Sequence, residues 1–327
     1  MPFRLKVSLA VLLSLLTIAL VGPLIVPILP VPDTVPEAQL ADPDSQFVEV
    51  DGVTVHYKTA GVEGEGPTFV LIHGFGSSTY TWHEVMADFG ELGRVIAFDL
   101  PAFGLTERPL PNDWDSNPYT PQAQVDLTLG LLDALNIGQA VLIGHSSGGV
   151  VAAQVAVKQP ERVAGLVLVD APILSGGRNA PRFLLRLPQI NRLGPVFMRQ
   201  FAGQPGTDFL RNAWSDPDSL DEETLEAYRK PLQANDWDRA LWEYAKVNGT
   251  VRLEPDLPRL SLPTLVLTGT DDEIVPPEQS ERLAETLPDA TLEAFEDCGH
   301  VPHEECPAPF TDAVTTWLQE QNATTDF

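Results

Sequence analysis

Short apolar runs recur along this chain and alternate with amphipathic stretches. TFVLI (68–72), RVIAF (94–98), AVLI (140–143), GLVLV (165–169), TLVLT (264–268) and TLEAF (291–295) are each nearly continuous in apolar, often β-branched residues. That is the pattern of strands covered on both faces, as in a parallel sheet. Upstream, FVEV and VTVHYKTAG flank Asp51-Gly52, a pair that supplies the positive φ angles of a tight turn, so a hairpin is predicted there. Helical periodicity occupies about 80–90, 120–136, 148–158, 279–287 and 308–320. Strand and helix alternate, which predicts an α/β fold with a mostly parallel sheet and helices on both faces.

Two regions depart from that rhythm. Between about 172 and 263 no strand pattern appears, only amphipathic segments such as PRFLLRLPQINRLGPVFMRQF and DEETLEAYRKPLQ, which predicts a helical insertion in the sheet order. At the other departure, the N-terminus, the chain carries no charge from Val7 to Leu29, where about 20 apolar residues suffice to span a bilayer. Residues 1–29 are therefore expected to be a membrane anchor or signal segment. Gly22, Pro23 and Pro27 weaken the far end of that helix, so cleavage stays open as the alternative. Arg4 and Lys6 precede the run and acids follow it, which places the domain outside the cytoplasm, anchored or, after cleavage, secreted. Residues 30–46, rich in proline and acid, read as a tether, and the folded domain as 47–327.

Charge narrows the partners. Lys and Arg number 20 against 46 Asp and Glu, a formal net charge of −26, and a surface of that sign repels nucleic acid and anionic lipid headgroups. Membrane association then needs the apolar segment rather than a basic patch. Hydrophobic residues at 43% and charged residues at 20% are those of an ordinary globular domain, which excludes a disordered chain.

The chemistry sits where the predicted strands end. Gly144-His145-Ser146-Ser147-Gly148-Gly149 follows AVLI and opens the helix VVAAQVAV, giving G-x-S-x-G in a strand–turn–helix context. Such a turn lifts a serine above the sheet edge, and its crowding calls for residues without Cβ. His73-Gly74-Phe75-Gly76 follows TFVLI and can bring the Phe75 N–H beside that of Ser147, two donors for an oxyanion. Asp271 and Asp272 follow TLVLT, and His300 follows TLEAF within Cys298-Gly299-His300-Val301-Pro302-His303. The order serine, aspartate, histidine is that of a nucleophile, its orienting acid and its base on an α/β sheet.

From about Phe47 to Leu318 the chain resembles the α/β-hydrolase superfamily, in the branch of lid-bearing esterases, carbon–carbon bond hydrolases and haloperoxidase-like proteins. The resemblance rests on HGFG (73–76), DLPAFGLT (99–106), GHSSGG (144–149), GTDDEIVP (269–276) and GHVPHEECP (299–307). It implies Ser146 as nucleophile, Asp272 as acid, His300 as base, and Phe75 and Ser147 as oxyanion donors. Spacing from Gly269 and to Pro276 selects Asp272 over Asp271 by the family pattern. Serine at 146, where haloalkane dehalogenases and epoxide hydrolases carry aspartate, argues against those two chemistries. HGFG rather than HGGG sets the chain apart from hormone-sensitive-lipase types, and Ala102 stands where the family often has glycine.

The expected activity is hydrolysis of a small-molecule carboxylic ester with an uncharged, apolar acyl group. Carbon–carbon bond hydrolysis on the same triad and a non-catalytic binding domain are the alternatives. Phe183, Leu184, Leu187, Phe197, Phe201, Trp214, Trp237 and Trp242 give the insertion the apolar surface of a lid, while Arg178, Arg182, Arg186, Arg192 and Arg199 make its first half basic. His56, His83, His145 and His303 read as structural. Cys298 and Cys306 flank His300 and leave open a bridge or two free thiols. No HExxH, CxxC or P-loop pattern is present, so no metal or other cofactor is expected.

Overall fold

In the computed structural model, the described residues are 3–64, 66–111, 117–174, 182–185, 187–247, 249 and 251–324. Among them, eight strands form one sheet: β1 (Gln46–Val50), β2 (Val53–Ala60), β3 (Thr68–Ile72), β4 (Arg94–Phe98), β5 (Ala140–His145), β6 (Val163–Val169), β7 (Thr264–Gly269) and β8 (Ala290–Phe295). Their order is β1-β2-β4-β3-β5-β6-β7-β8. The β1–β2 hairpin turns at Asp51 and Gly52, both at positive φ, and β2 runs antiparallel to β4. Every other pairing is parallel.

Strand alternation divides the core into two layers. On β3, Val70 and Ile72 join the apolar cluster on one face, and Phe69 and Leu71 join the cluster on the other; all four are wholly buried. This is why the strands read as continuous apolar runs. Helix α1 is Phe3–Ile25. The covering helices are α2 (Met86–Leu92), α3 (Pro121–Ala134) and α4 (Ser147–Lys158). The helix predicted over 80–90 is split, because Ser78 caps a short 3-10 turn (Thr79–Trp82) before α2 begins.

Between β6 and β7 the chain is helical: α5 (Arg182–Leu185), α6 (Pro188–Met198), α7 (Gln204–Arg211), α8 (Glu222–Arg229) and α9 (Trp237–Val247). The C-terminal part supplies α10 (Pro277–Thr286), α11 (Pro302–Glu305) and α12 (Pro307–Thr324). Arg178 and Arg186, and the side chains of Arg182 and Phe183, lie outside the described residues.

The membrane reading of the N-terminus is corrected. Among the described residues, no helix is long and apolar enough to cross a membrane. Gly22 and Pro23 lie inside the last turns of α1, and the chain there is tied to the insertion. Gln189 donates to the carbonyl of Leu20, Arg192 to that of Val26 and Arg199 to that of Leu29, at 3.0, 3.1 and 2.7 Å. The expected anchor, the membrane partner and the placement of the domain outside the cytoplasm, anchored or secreted, rested on a span and fall with it. Residues 30–46 also dock on the body: Val35 exchanges backbone hydrogen bonds with Gln233 and Asn235, and Glu37 pairs with Arg108 at 3.1 Å.

Candidate active site

The candidate residues meet at the carboxyl edge of the sheet, where open α/β sheets place their ligands. Ser146 links β5 directly to α4 at φ 52°, a left-handed conformation that side chains avoid unless the surroundings enforce it. The turn is so tight that a Cβ on Gly148 would overlap the carbonyls of Ile72 and His73. Ser147 is the first residue of α4, where backbone N–H groups lack helical partners. Gly74 brings the preceding loop against the elbow, since a Cβ there would lie 2.8 Å from His145 Nδ1 and 3.0 Å from Ser146 Cβ. Phe75 follows it, with its ring among Phe103, Phe201, Phe209 and Tyr244 at centroid distances of 5.6 to 5.9 Å. Three of those four rings come from the region between β6 and β7, so the insertion itself fixes the loop that carries the Phe75 N–H.

Asp272 and His300 come together from the ends of β7 and β8. His300 Nδ1 donates to Asp272 Oδ2 at 2.7 Å, and both side chains are buried. Asp272 Oδ1 accepts from the N–H groups of Ile274 and Val275 at 2.7 and 2.9 Å, which fixes the carboxylate. Asp271 is exposed instead and accepts from Ser215 Oγ at 2.6 Å. With Nδ1–H given to Asp272, the His300 imidazole leaves Nε2 as its base.

A bridge between Cys298 and Cys306, with Cα atoms 6.4 Å apart, closes the loop around His300. Inside it, Glu305 accepts from Gly299 N at 2.6 Å and from Ser215 N at 2.8 Å, while His300 N donates to Ala213 at 2.7 Å. The insertion is therefore bonded to the histidine loop by backbone contacts no sequence period reveals. Glu304 accepts from Thr81 Oγ1 and from Tyr228 of α8, and burial pushes its carboxyl up to about 8 despite those hydrogen bonds. His145 Nε2 donates to the His300 carbonyl at 2.7 Å, and burial next to His303 and His300 holds it neutral, far below its ordinary value.

Ser146, Ser147, Phe75 and His300 line one cleft of about 330 Å³, with Pro172, Phe209, Leu210, Trp214, Tyr228 and Val301 among its walls. Among the described residues, Trp214 is the one sequence-predicted lid aromatic there; Phe201 and Trp237 line an adjoining cavity with Arg108 and Arg229. Leu184, Leu187 and Phe197 are exposed, and buried Trp242 donates its indole N–H to Asn191 Oδ1 at 3.0 Å. Phe209 and Tyr228 escaped the sequence reading because a helical stripe announces an apolar face without saying what it covers. Ala102, the departure from glycine, adopts φ 80° and lines the adjoining cavity.

A second serine–histidine–aspartate string lies elsewhere. Ser45 Oγ is 2.8 Å from His56 Nε2, and His56 Nδ1 donates to Asp99 Oδ2 at 2.6 Å. Asp99 also accepts from Thr79 N at 2.6 Å and Leu105 N at 2.7 Å, so it ties together the loops after β3 and β4. Ser45 Oγ accepts from Asp42 N at 3.0 Å and closes a turn before β1.

Among the described residues, Asp170, Asp272 and His300 are the one group of potential metal ligands, with ligand atoms within 4.8 Å of one another. Asp272 and His300 already satisfy each other there.

Comparison with known proteins agrees with this geometry. The profile of the α/β-hydrolase fold family matches residues 67–307. The chain belongs to that family. It is 32% identical to a 2-hydroxymuconate semialdehyde hydrolase of a Pseudomonas species over 274 residues, 80% of this chain and 89% of that one. Among solved structures, a thermophilic esterase from Thermogutta terrifontis superposes with a TM-score of 0.70 at 28% identity, covering 84% of this chain and 98% of its own. A meta-cleavage product hydrolase from Pseudomonas fluorescens gives 0.68 at 26% identity, with 84% and 98% covered. This member is an enzyme of the α/β-hydrolase fold.

Proposed function

We propose that the protein is a serine hydrolase of carboxylic esters with small or medium apolar acyl groups, acting through Ser146, His300 and Asp272. The observation that carries this reading is the buried His300–Asp272 pair opening on the same apolar cleft as Ser146. Neutral His300 takes the Ser146 proton, and the alkoxide attacks the ester carbonyl. Backbone N–H groups of Phe75 and Ser147 receive the developing oxyanion, while Asp272 holds the imidazole tautomer and steadies its positive charge. His300 then protonates the leaving alcohol, and a water activated by the same base releases the acid.

The insertion serves in this reading as a lid that sets the acyl group. Among the described residues, the cleft walls that reach Ser146 include no lysine or arginine. Arg108 and Arg229 in the adjoining cavity are paired with Glu37 and Glu222, at 3.1 and 3.3 Å. A neutral acyl chain suits such walls better than a carboxylate. The likeness to a 2-hydroxymuconate semialdehyde hydrolase supports a second reading, hydrolysis of a carbon–carbon bond in an unsaturated acid.

Nitrophenyl esters of graded chain length, run beside 2-hydroxymuconate semialdehyde, separate the two. The ester reading expects kcat/KM to peak at short or medium acyl chains and to exceed that for the semialdehyde. A reversed ranking would transfer the assignment to carbon–carbon bond hydrolysis.

A further inference from the structure

Asp170, at the end of β6, has no role in the chemistry just described, yet it is wholly buried beside Asp272. Its backbone is left-handed at φ 47°, held by a hydrogen bond from its N–H to Leu267 at 2.9 Å. Oδ1 accepts from Thr268 Oγ1 at 2.7 Å and from Gly269 N at 3.3 Å, while buried Oδ2 meets no donor. Asp272, by contrast, has a donor at each oxygen: Ile274 and Val275 N–H groups on Oδ1 and the imidazole on Oδ2.

Two buried carboxyl groups this close do not both ionise, because each charge raises the cost of the other. The donors decide which keeps the proton. Three favour the anion of Asp272, one an imidazole; a hydroxyl and a long N–H contact favour that of Asp170. Burial and the neighbouring Asp272 charge push the Asp170 carboxyl well above the usual carboxylate range.

We propose that Asp170 is a positioning residue that donates its carboxyl O–H to Asp272, fixing the acid that orients His300. This rests on the triad reading above. The bare Oδ2 is the oxygen that carries the hydrogen, so the atom without a donor becomes one. Asp272, with no open side-chain surface, gains from it the donor that water would otherwise supply. The strained backbone at Asp170 is the local cost of aiming that group across from β6 to β7.

The test compares Asp170→Asn, which replaces the O–H by an N–H of the same shape, with Asp170→Ala, which removes it. Asp170→Asn should keep kcat within about threefold of wild type and leave the acid limb of the pH profile unmoved, since no charge has changed. Asp170→Ala should lose about ten- to a hundredfold in kcat at unchanged KM, the usual effect of removing a hydrogen bond to a charged group. An acid limb displaced to lower pH in Asp170→Asn would show that an ionised Asp170 had been removed, and would overturn the proposal. So would wild-type kcat in a folded Asp170→Ala.

Infrared spectra supply a readout independent of activity. In difference spectra against Asp170→Asn, wild type and Ser146→Ala should each show one more carbonyl stretch of a protonated carboxylic acid, beyond the band that Glu304 gives in all three; the absence of any such difference would overturn the proposal even if the alanine variant does not fold. Failure of the triad reading looks different: Ser146→Ala would stay active and wild type would resist a fluorophosphonate, whatever the spectra show.

Discussion

The string Ser146–His300–Asp272 and the string Ser45–His56–Asp99 share the same residue types, and each joins its histidine Nδ1 to an aspartate with two backbone N–H groups on the carboxylate. Their surroundings differ. Ser146 stands at a forced left-handed turn, at the head of α4, in a cleft walled by apolar residues. Ser45 closes a turn before β1 and spends its lone pair on Asp42 N. A serine, a base and an acid in line are therefore insufficient. On the proposed reading, what separates a reactive string from a structural clamp is the pair of N–H groups offered to the oxygen that becomes charged, since cavities of about 320 and 330 Å³ lie beside His56 and Ser146 alike.

The largest test of that contrast replaces each serine. Ser146→Ala should leave the fold intact and abolish ester turnover, by roughly a million-fold, because the acyl-enzyme then has no nucleophile. Nitrophenyl ester hydrolysis and fluorophosphonate labelling measure it. Retention of a tenth of wild-type activity would end the assignment, and transfer of the label to Ser45 would reverse the comparison.

Next in size is the choice of acid. Asp272→Asn presents an amide to His300 Nδ1, favours the wrong tautomer and should cost up to about ten-thousand-fold in turnover. Asp271→Asn should keep most activity, because among the described residues the Asp271 side chain bonds to Ser215 and its own neighbour Thr270 and not to His300. Two fully active variants would mean that His300 is oriented from elsewhere, and Asp170 is the carboxyl within reach.

How much of this was legible in advance follows from what prints locally on a sequence. Sharp turns demand particular residues, so Gly144, Ser146, Gly148 and the HGFG loop announced the elbow and its neighbour, and near-continuous apolar runs announced the buried strands. Asp170 follows the apolar run GLVLV (165–169) with no motif to mark it. Tyr228 and Phe209 sat in ordinary amphipathic helices, and Ser45–His56–Asp99 joins three segments whose spacing carries no period. The N-terminal run was misread for the same reason: an apolar stretch records a wish to leave water, and here the chain beyond Leu20 is tied to the insertion through Gln189, Arg192 and Arg199.

The two regions should also respond oppositely to pH. Burial works to raise Asp99, but the hydrogen bond and charge of His56 and the Leu105 N–H outweigh it and hold the carboxyl at about 2. Its contribution to stability is present above about 3.8 and is lost as pH falls through about 2. Glu304, in the histidine loop beside His300, is pushed up to about 8 from 4.5. Folding favours its neutral form, so that contribution is complete below 4.5 and is lost as pH rises through about 8. Glu304→Gln imitates the neutral acid, and denaturant midpoints should show it gaining on wild type by a few kcal/mol between pH 5 and 8, since each tenfold change in a protonation equilibrium is worth about 1.4 kcal/mol. A gap that stays constant with pH would mean that Glu304 is ionised throughout.

The smallest effect is the most pointed. Ser45→Ala removes the hydroxyl that meets His56 Nε2 and accepts from Asp42 N, but leaves the His56–Asp99 bond in place. Asp99 keeps the N–H groups of Thr79 and Leu105, so the loops after β3 and β4 should hold their positions. Asp42 keeps its ion pairs to Lys58 and Lys230, at 3.1 and 2.5 Å, and these continue to pin the turn to β2 and to the insertion. The loss should therefore be about 1–3 kcal/mol of stability, the ordinary worth of two partly buried hydrogen bonds, with kcat and KM both unchanged. Melting curves and ester kinetics on the same preparation decide it. A fall in kcat without a fall in stability would give Ser45 a part in the chemistry, since a clamp can reach turnover only by loosening the fold.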